Sequence, residues 1–126
     1  MEHRNKNGNL VEHHFAIDDA IRFGVYKAIL LYNLRFWLEH NKARGINIKK
    51  HTDGKKYYWT YNSGEAFEKL FPYMNSRSIR RWLLEMENDG LIISNNFNKT
   101  EYDRTKWYTI PSLYQVGNTE NDYPKT

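Results

Sequence analysis

The sequence predicts an α+β fold, and three of its features lead to that prediction. Residues 75–90 carry the start signals, the apolar spacing and the glycine stop of an α-helix. Two β-prone runs, 91–94 and 106–110, follow that helix and are separated by a polar loop. A shorter helical segment, 64–71, precedes it, with only a few residues between the two. We therefore expect a winged helix-turn-helix with an additional β-hairpin and a long central core helix.

Length and composition limit the classes of protein to which this chain can belong. It has 126 residues, of which 40% are hydrophobic and 16% are aromatic, and this suits one well-filled core. The net charge of +4 and the pI of about 9.2 suit a nucleic-acid partner. The absence of cysteine excludes disulfides, thiolate metal sites and cysteine nucleophiles. The sequence contains neither a run of about 18 apolar residues nor a signal-peptide core, so we expect a cytoplasmic protein without a membrane partner.

The first third of the chain predicts two helices. An acidic pair at 18–19 suits the N-cap and first turn of a short helix, 20–23, that Gly24 ends. The segment 25–41 is apolar over a wide arc, which is typical of a helix that lies beneath other elements. It is therefore predicted to be the central core helix.

A β-hairpin is predicted at residues 46–61, where two β-prone runs flank Asp53-Gly54. That dipeptide favours the type I′ turn of a two-residue loop. Two interpretations stay open for the cations at the hairpin tip: they protect an exposed sheet edge against pairing, which we favour, or they contact nucleic acid. These cations are Lys49, Lys50, Lys55 and Lys56, and His51 lies among them.

A helix-turn-helix is predicted from the next two helices. Ser63 or the asparagine before it can cap the first helix, and Pro72 ends it because the residue before a proline avoids helical geometry. Only residues 72–75 separate it from the second helix, which is basic at its start.

These elements set the domain boundaries and the expected core. A flexible N-terminus is predicted for residues 1–14, a winged-helix domain for residues 15–116 and a disordered tail for residues 117–126. The core is predicted to include Ile29, Leu34, Trp37, Phe67, Ile79, Leu83 and Trp107.

Several short motifs of this region occur together in one known family. They are Phe71-Pro72, SRSIRR at 76–81, GLI at 90–92, FNK at 97–99 and DRTKWYTI at 103–110. In this combination the chain resembles the N-terminal winged-helix domain of phage and plasmid replisome-organiser, or replication-initiator, proteins. The resemblance covers about residues 15–112 and implies DNA binding in replication initiation. Such proteins usually carry a further C-terminal domain, so a stand-alone module, a small regulator and an excised domain all stay open.

The charges of the helix at 75–90 run against its dipole. Arg77, Arg80 and Arg81 lie in its first turns, whereas its acidic residues lie in the last turns. A helix dipole favours the opposite order, and each misplaced charge costs about 0.3–1 kcal/mol at low salt. A phosphate bound at the N-terminal end would meet free N–H groups and arginines together, which would turn the cost into a gain. The other interpretation is a solvated basic face with no partner.

The predicted DNA-contacting residues lie on this helix and on the loop between the two strands. The arginines can reach guanine O6 and N7 as well as phosphates, and short polar side chains at the helix start suit phosphate positioning. The loop cations can follow the backbone or enter the minor groove; alternatively, Asp103 pairs with one of them and only shapes the turn. The full set is Asn75, Ser76, Arg77, Ser78, Arg80, Arg81, Lys99, Arg104 and Lys106.

The sequence therefore predicts a sequence-specific double-stranded DNA binder, in replication initiation or its regulation in a phage, plasmid or other mobile element. The alternative is a winged helix used for protein interaction or transcriptional regulation, without a replication role. Double-stranded DNA is the expected partner, and replication proteins or a second copy are further candidates. No spacing of serine, histidine and aspartate matches a nucleophile elbow, a phosphate loop or a metal motif. We therefore expect no enzymatic activity, cofactor, bound metal or small-molecule substrate.

Overall fold

A computed structural model describes residues 2–100 and 102–117 of the chain. Within these residues it shows a mixed α+β structure, which confirms the predicted class at that level. The helices are α1 (Ile17–Phe23), α2 (Val25–Arg44), α3 (Gly64–Leu70), α4 (Ser76–Asn88) and α5 (Pro111–Tyr114). The strands are β1 (Ile48–Lys50), β2 (Lys56–Tyr58), β3 (Thr60–Asn62), β4 (Ile93–Asn95) and β5 (Lys106–Thr109). The chain divides within α2 into two compact units, Met1–Asn33 and Leu34–Thr126. Of the predicted disordered tail, residues 118–126 lie outside the described residues.

The first unit contains α1 and the beginning of α2. α1 begins at Ile17, before the predicted start, and Asp18 and Asp19 both lie in its first turn. The N-cap is Ala16, which makes no side-chain cap bond, so the assignment of Asp18 to the N-cap is wrong. First-turn carboxylates can favour a helix through its dipole without capping it, which explains why the acidic pair does not mark the boundary. Gly24 ends the helix with a φ of 92°, as predicted.

α2 is buried along part of its circumference only. Leu34 and Leu38 are buried, whereas Tyr32 is exposed, Phe36 is 57% exposed and Trp37 is 41% exposed. Part of the predicted apolar arc is therefore buried, at Ile29, Leu30, Leu31, Leu34 and Leu38, but the prediction that the whole arc is covered, with Trp37 in the core, is wrong. A helix in a layered domain is covered on one side, so an apolar circumference must leave large side chains at the surface. Neither α2 nor any other described helix is long and apolar enough to cross a membrane.

The second unit joins the end of α2 to the first hairpin through buried polar contacts. The buried Asn41 donates from Nδ2 to the Trp59 carbonyl at 2.7 Å. Trp59 is fully buried and donates from Nε1 to the Lys49 carbonyl at 3.0 Å. At the other end of the chain, the Tyr114 hydroxyl donates to Glu39 at 2.8 Å, and burial raises the pKa of Tyr114. These bonds satisfy polar groups that would otherwise be costly to bury.

The β1–β2 hairpin forms where the sequence predicts it, but its turn differs. Lys50 opposes Lys56, and the His51 N–H donates to the Lys55 carbonyl at 2.8 Å. The Gly54 N–H donates to the His51 carbonyl at 2.9 Å, so residues 52 and 53 are the central residues of the turn. Asn47 is the one non-glycine residue with positive φ in the described chain, so Asp53 cannot adopt a type I′ conformation. The type I′ prediction is wrong: Gly54, with a φ of 83°, closes a three-residue loop instead.

A three-stranded antiparallel sheet has the order β3-β5-β4. Tyr108 on the central strand faces Thr60 on one side and Ser94 on the other. α3 and α4 lie between β3 and β4 in sequence, and α3 contacts both α4 and β3. The centres of the Phe67 and Tyr108 rings are 6.3 Å apart. Of the predicted core, Trp107 is half-buried, and the buried members are Ile29, Leu34, Phe67, Ile79 and Leu83.

Candidate nucleic-acid interface

α4 is held at both ends by bonds that the sequence encodes locally. Asn75 is its N-cap, and its Oδ1 accepts from the backbone N–H groups of Arg77 at 2.8 Å and Ser78 at 3.3 Å. At the other end, Gly90 has a φ of 80°, and the N–H of Leu91 donates to the Met86 carbonyl at 2.9 Å. This pattern of a left-handed glycine and a six-to-one bond is a Schellman motif. The two ends define a helix of 13 residues whose side chains have fixed directions.

The two sides of α4 differ in polarity. Ile79, Leu83 and Met86 are buried on one side. Arg77, Arg80, Arg81 and Leu84 are exposed on the remainder of the surface. The predicted arginines are therefore available to a partner, and none of them is enclosed in the core.

A groove of about 700 Å³ lies beside the exposed side of α4, and α3 and β5 complete its walls. Four of its lining residues are cations, and they come from two separate parts of the chain. Arg80 and Arg81 belong to α4, Lys106 to β5, and Arg104 to the connection before β5. Phe67, Ile79, Leu83 and Tyr108 provide apolar and aromatic lining.

Acidic side chains also line this groove, and two of them already have partners. Glu65 lies 3.6 Å from the Lys69 ammonium, an exposed i,i+4 pair. Glu87 accepts a hydrogen bond at 2.7 Å from the Ser94 hydroxyl. Burial, followed by the charge of Glu87, raises the pKa of Tyr108 to about 12, so this phenol is neutral at pH 7. The groove therefore combines cations with carboxylates, and the carboxylates would oppose a phosphate placed beside them.

The connection between β4 and β5, residues 96–105, is termed the wing, and Asn98 organises it. The Asn98 Nδ2 donates to the carbonyls of Thr105 at 2.7 Å and Asp103 at 3.1 Å. Its Oδ1 accepts from the Trp107 Nε1 at 2.9 Å. One side chain therefore bonds two points of the second half of the wing and one point of β5, and this sets the path of the backbone that carries Arg104.

Asp103 shapes the wing through its own neighbour. Its Oδ1 accepts from the Thr105 N–H at 3.0 Å, and the bonds to the backbone and side chain of Thr105 lower the pKa of Asp103. Among residues 2–100 and 102–117, Asp103 forms no ion pair with Arg104 or Lys106. Asp103 thus shapes the turn, as the sequence allowed, and within the described residues it does so without pairing to either cation.

The structure brings together some of the predicted site residues and separates others. Asn75 lies at the start of α4 with its Oδ1 engaged in the helix cap, and Ser78 is half-buried. Arg77 and Lys99 are exposed and do not line the groove. The predicted residues that share the groove are Ser76, Arg80, Arg81, Arg104 and Lys106.

The arginines of the groove differ in the contacts that they already make. The Arg81 Nε lies 3.8 Å from a Glu85 oxygen, and its guanidinium stands 5.6 Å from the centre of the Trp82 ring. Arg80 has no ion pair within the part of the chain that the structure describes. An anion can therefore reach Arg80 directly, whereas at Arg81 it competes with Glu85.

Sequence reasoning missed three contributors to this region. Glu65 and Glu68 have the i,i+3 spacing that places both on one side of α3, and that spacing was available to find them. Asn98 had no such signal, because its three bonds depend on the path of the whole wing.

Within the described ranges there is no group of three or more histidine, aspartate or glutamate side chains that could hold a metal ion. Comparison with protein-family models, curated proteins and solved structures found no match for this chain.

Proposed function

We propose that residues 15–116 form a winged helix-turn-helix domain that binds double-stranded DNA in a sequence-specific manner. The order of the sheet supports this fold, because two helices lie in sequence between an edge strand and a hairpin whose second strand is central. The short connection between α3 and α4, residues 71–75, supports a helix-turn-helix. In this arrangement α4 is the recognition helix, and the wing lies beside it.

One observation carries the proposal: cations from α4 and from the wing side of β5 line the same groove. Arg80 and Arg104 are far apart in sequence, so their presence in one groove depends on the fold. Basic residues in the first turns of α4 also oppose its dipole, and a phosphate beside them removes that cost. Both features favour an anionic ligand, and duplex DNA is such a ligand.

The two parts of the surface have different roles in this proposal. α4 fits the major groove, where base pairs are distinguishable, so Arg80 and Arg81 contact bases as well as phosphates. Lys99 and Arg104 in the wing contact the sugar-phosphate backbone, where contacts carry no sequence information. Arg81 must exchange its contact with Glu85 for DNA, so its net contribution is smaller than that of Arg80.

The test begins with selection of bound fragments from random duplex DNA, followed by titrations at several salt concentrations. Arg80→Ala is expected to cost about 1–3 kcal/mol on the selected site and much less on random duplex. Arg81→Ala is expected to fall at the lower end of that range. Lys99→Ala and Arg104→Ala are expected to weaken binding to both duplexes alike, and each should reduce the salt slope by about one unit.

Arg44→Ala is the matched control, since this exposed arginine ends α2 and is absent from the groove. It should leave both affinities and the salt slope nearly unchanged. If the wing variants lose discrimination between the selected site and random duplex while the α4 variants keep it, the wing reads the bases and α4 contacts the backbone. Binding that lacks salt dependence would refute the DNA proposal and favour a protein-interaction module.

A role in replication initiation or its regulation, in a phage, plasmid or other mobile element, is part of this proposal and depends on the sequence resemblance alone. Its separate test is the position of the selected sites. Sites clustered at a replication origin of such an element support the role, whereas sites confined to promoters favour transcriptional regulation.

A further inference from the structure

Leu84 lies on the exposed side of α4 and lines the groove, with 54% of its surface exposed to solvent. Its neighbours on α4 are Arg80 and Arg81, one turn earlier, and Glu87 and Asn88, one turn later; Glu87 is half-buried and also lines the groove, and the other three are exposed. A branched apolar side chain therefore stands within a polar and charged surface.

Exposure alone does not distinguish this leucine. Leu113 on α5 is 52% exposed, and single apolar residues are common on protein surfaces. The position of Leu84 distinguishes it, because it shares the groove with the cations of α4 and of the wing side, and Leu113 does not. A ligand that fills this groove covers Leu84.

We propose that Leu84 reads the C5-methyl group of a thymine in the major groove of the bound duplex. This inference rests on the proposed function. The thymine methyl is the apolar group that base pairs present on the major-groove edge, and an apolar side chain is its natural contact. Arginine and asparagine forks cannot sense it, since they recognise hydrogen-bonding groups. Leu84 adds a specificity for A·T pairs to a helix whose arginines favour guanine.

The test replaces each thymine of the selected duplex in turn with deoxyuridine, which lacks only the methyl group. The unmodified protein is expected to lose about fourfold in affinity at one or two positions, the value for burying one methyl-sized group. Leu84→Ala should bind the thymine duplex about as weakly as the unmodified protein binds the deoxyuridine duplex. It should show no further loss at those positions, so the two changes are not additive.

Leu113→Ala is the matched control and should keep the full response to deoxyuridine. Leu84→Ala should also keep the urea midpoint of the unmodified protein, because alanine suits an exposed helical position. The inference is overturned if deoxyuridine leaves the affinity of the unmodified protein unchanged, or if it weakens Leu84→Ala as much as the unmodified protein. Either result leaves the DNA proposal intact. Absence of saturable duplex binding overturns both.

Discussion

The second unit contains two antiparallel hairpins, and they are built in different ways. In the β1–β2 hairpin, Gly54 closes a three-residue loop, and Asp53 accepts from the Lys55 N–H at 2.8 Å and from the Tyr57 hydroxyl at 2.6 Å. All of these residues lie within a few positions of one another. In the β4–β5 pair, the wing is held by Asn98, which bonds residues five, seven and nine positions away.

The two hairpins represent two ways of shaping a surface loop. The tight hairpin depends on a residue that tolerates positive φ and on a carboxylate that caps its own turn. The wing depends on an amide that reaches across the loop and makes three of its four possible hydrogen bonds there. The first loop is therefore expected to respond to backbone substitutions, and the second to loss of a single side chain.

The two hairpins also touch one another. The Asn95 amide nitrogen lies 3.0 Å from the His51 Nδ1. The centres of the Trp59 and Phe97 rings are 4.8 Å apart. The Lys49 ammonium stands 5.8 Å from the centre of the Trp107 ring. The hairpin thus packs against the base of the wing. We expect its lysines to affect DNA affinity less than the α4 arginines do, since the hairpin supports the wing and does not line the groove.

The largest effect is expected from Asn98→Ala. Loss of its three bonds leaves the Trp107 Nε1 and two carbonyls without this partner, and we expect a cost of about 1–3 kcal/mol in the free energy of unfolding. Urea denaturation measures it. Asn96→Ala is the control, since Asn96 accepts one bond from the Asn98 N–H, and it should cost less. Equal effects of the two substitutions would show that Asn98 does not organise the wing.

Gly54→Ala tests the tight hairpin and should cost about 1–2 kcal/mol. A β-carbon at Gly54 would meet nothing within 4 Å, so the cost is that of an L-residue at a φ of 83°. Gly64→Ala is the control: its surroundings are equally open, and it lies in the first turn of α3 with no positive φ. That variant should be neutral or slightly stabilised. If both variants unfold at the same urea concentration, the turn does not hold Gly54 at positive φ.

Lys56→Glu is expected to stabilise the hairpin by about 0.2–1 kcal/mol. Lys50 and Lys56 are direct cross-strand partners of like charge, and the substitution creates an opposite-charge pair. Lys55→Glu makes the same change in net charge in the same hairpin and should gain less, because Lys55 is paired with His51 in the ladder. The gain should shrink in high salt. A gain that persists at 1 M salt would point to a cause other than charge.

The smallest effect at neutral pH is expected from the two loop carboxylates. The bond from the Tyr57 hydroxyl, followed by the bond from the Lys55 N–H, lowers the pKa of Asp53, and bonds from Thr105 lower that of Asp103. A depressed folded-state pKa stabilises the protein above the unfolded value, near 3.9, and this stabilisation is lost as the pH falls through the folded value. Asp53→Asn and Asp103→Asn should therefore be slightly less stable than the unmodified protein at pH 7.

Urea denaturation between pH 7 and pH 2 tests this pair of variants. The difference from the unmodified protein should vanish at the acid end. An Asp53→Asn difference that stays constant over that range would show that the carboxylate contributes through shape and not through charge.

The sequence by itself determined the features that depend on neighbouring residues. Asn75 and Gly90 marked the ends of α4, and the buried stripe through Ile79 and Leu83 followed from helical spacing. The position of the first hairpin also followed from its composition. These features could be predicted because a cap, a glycine stop or a helical face involves bonds and contacts over only a few residues.

Only the tertiary structure decided the features that join distant residues. Spacing around α2 could not show which apolar side chains would stay at the surface, because that depends on what covers the helix. The type of turn at Asp53 depended on the register of the two strands. The shared groove of Arg80 and Arg104, and the bond between His51 and Asn95 across 44 positions, required the sheet to bring distant residues into one region. Pairing between distant strands depends on many weak contacts, and a short stretch of sequence does not show which of them will form.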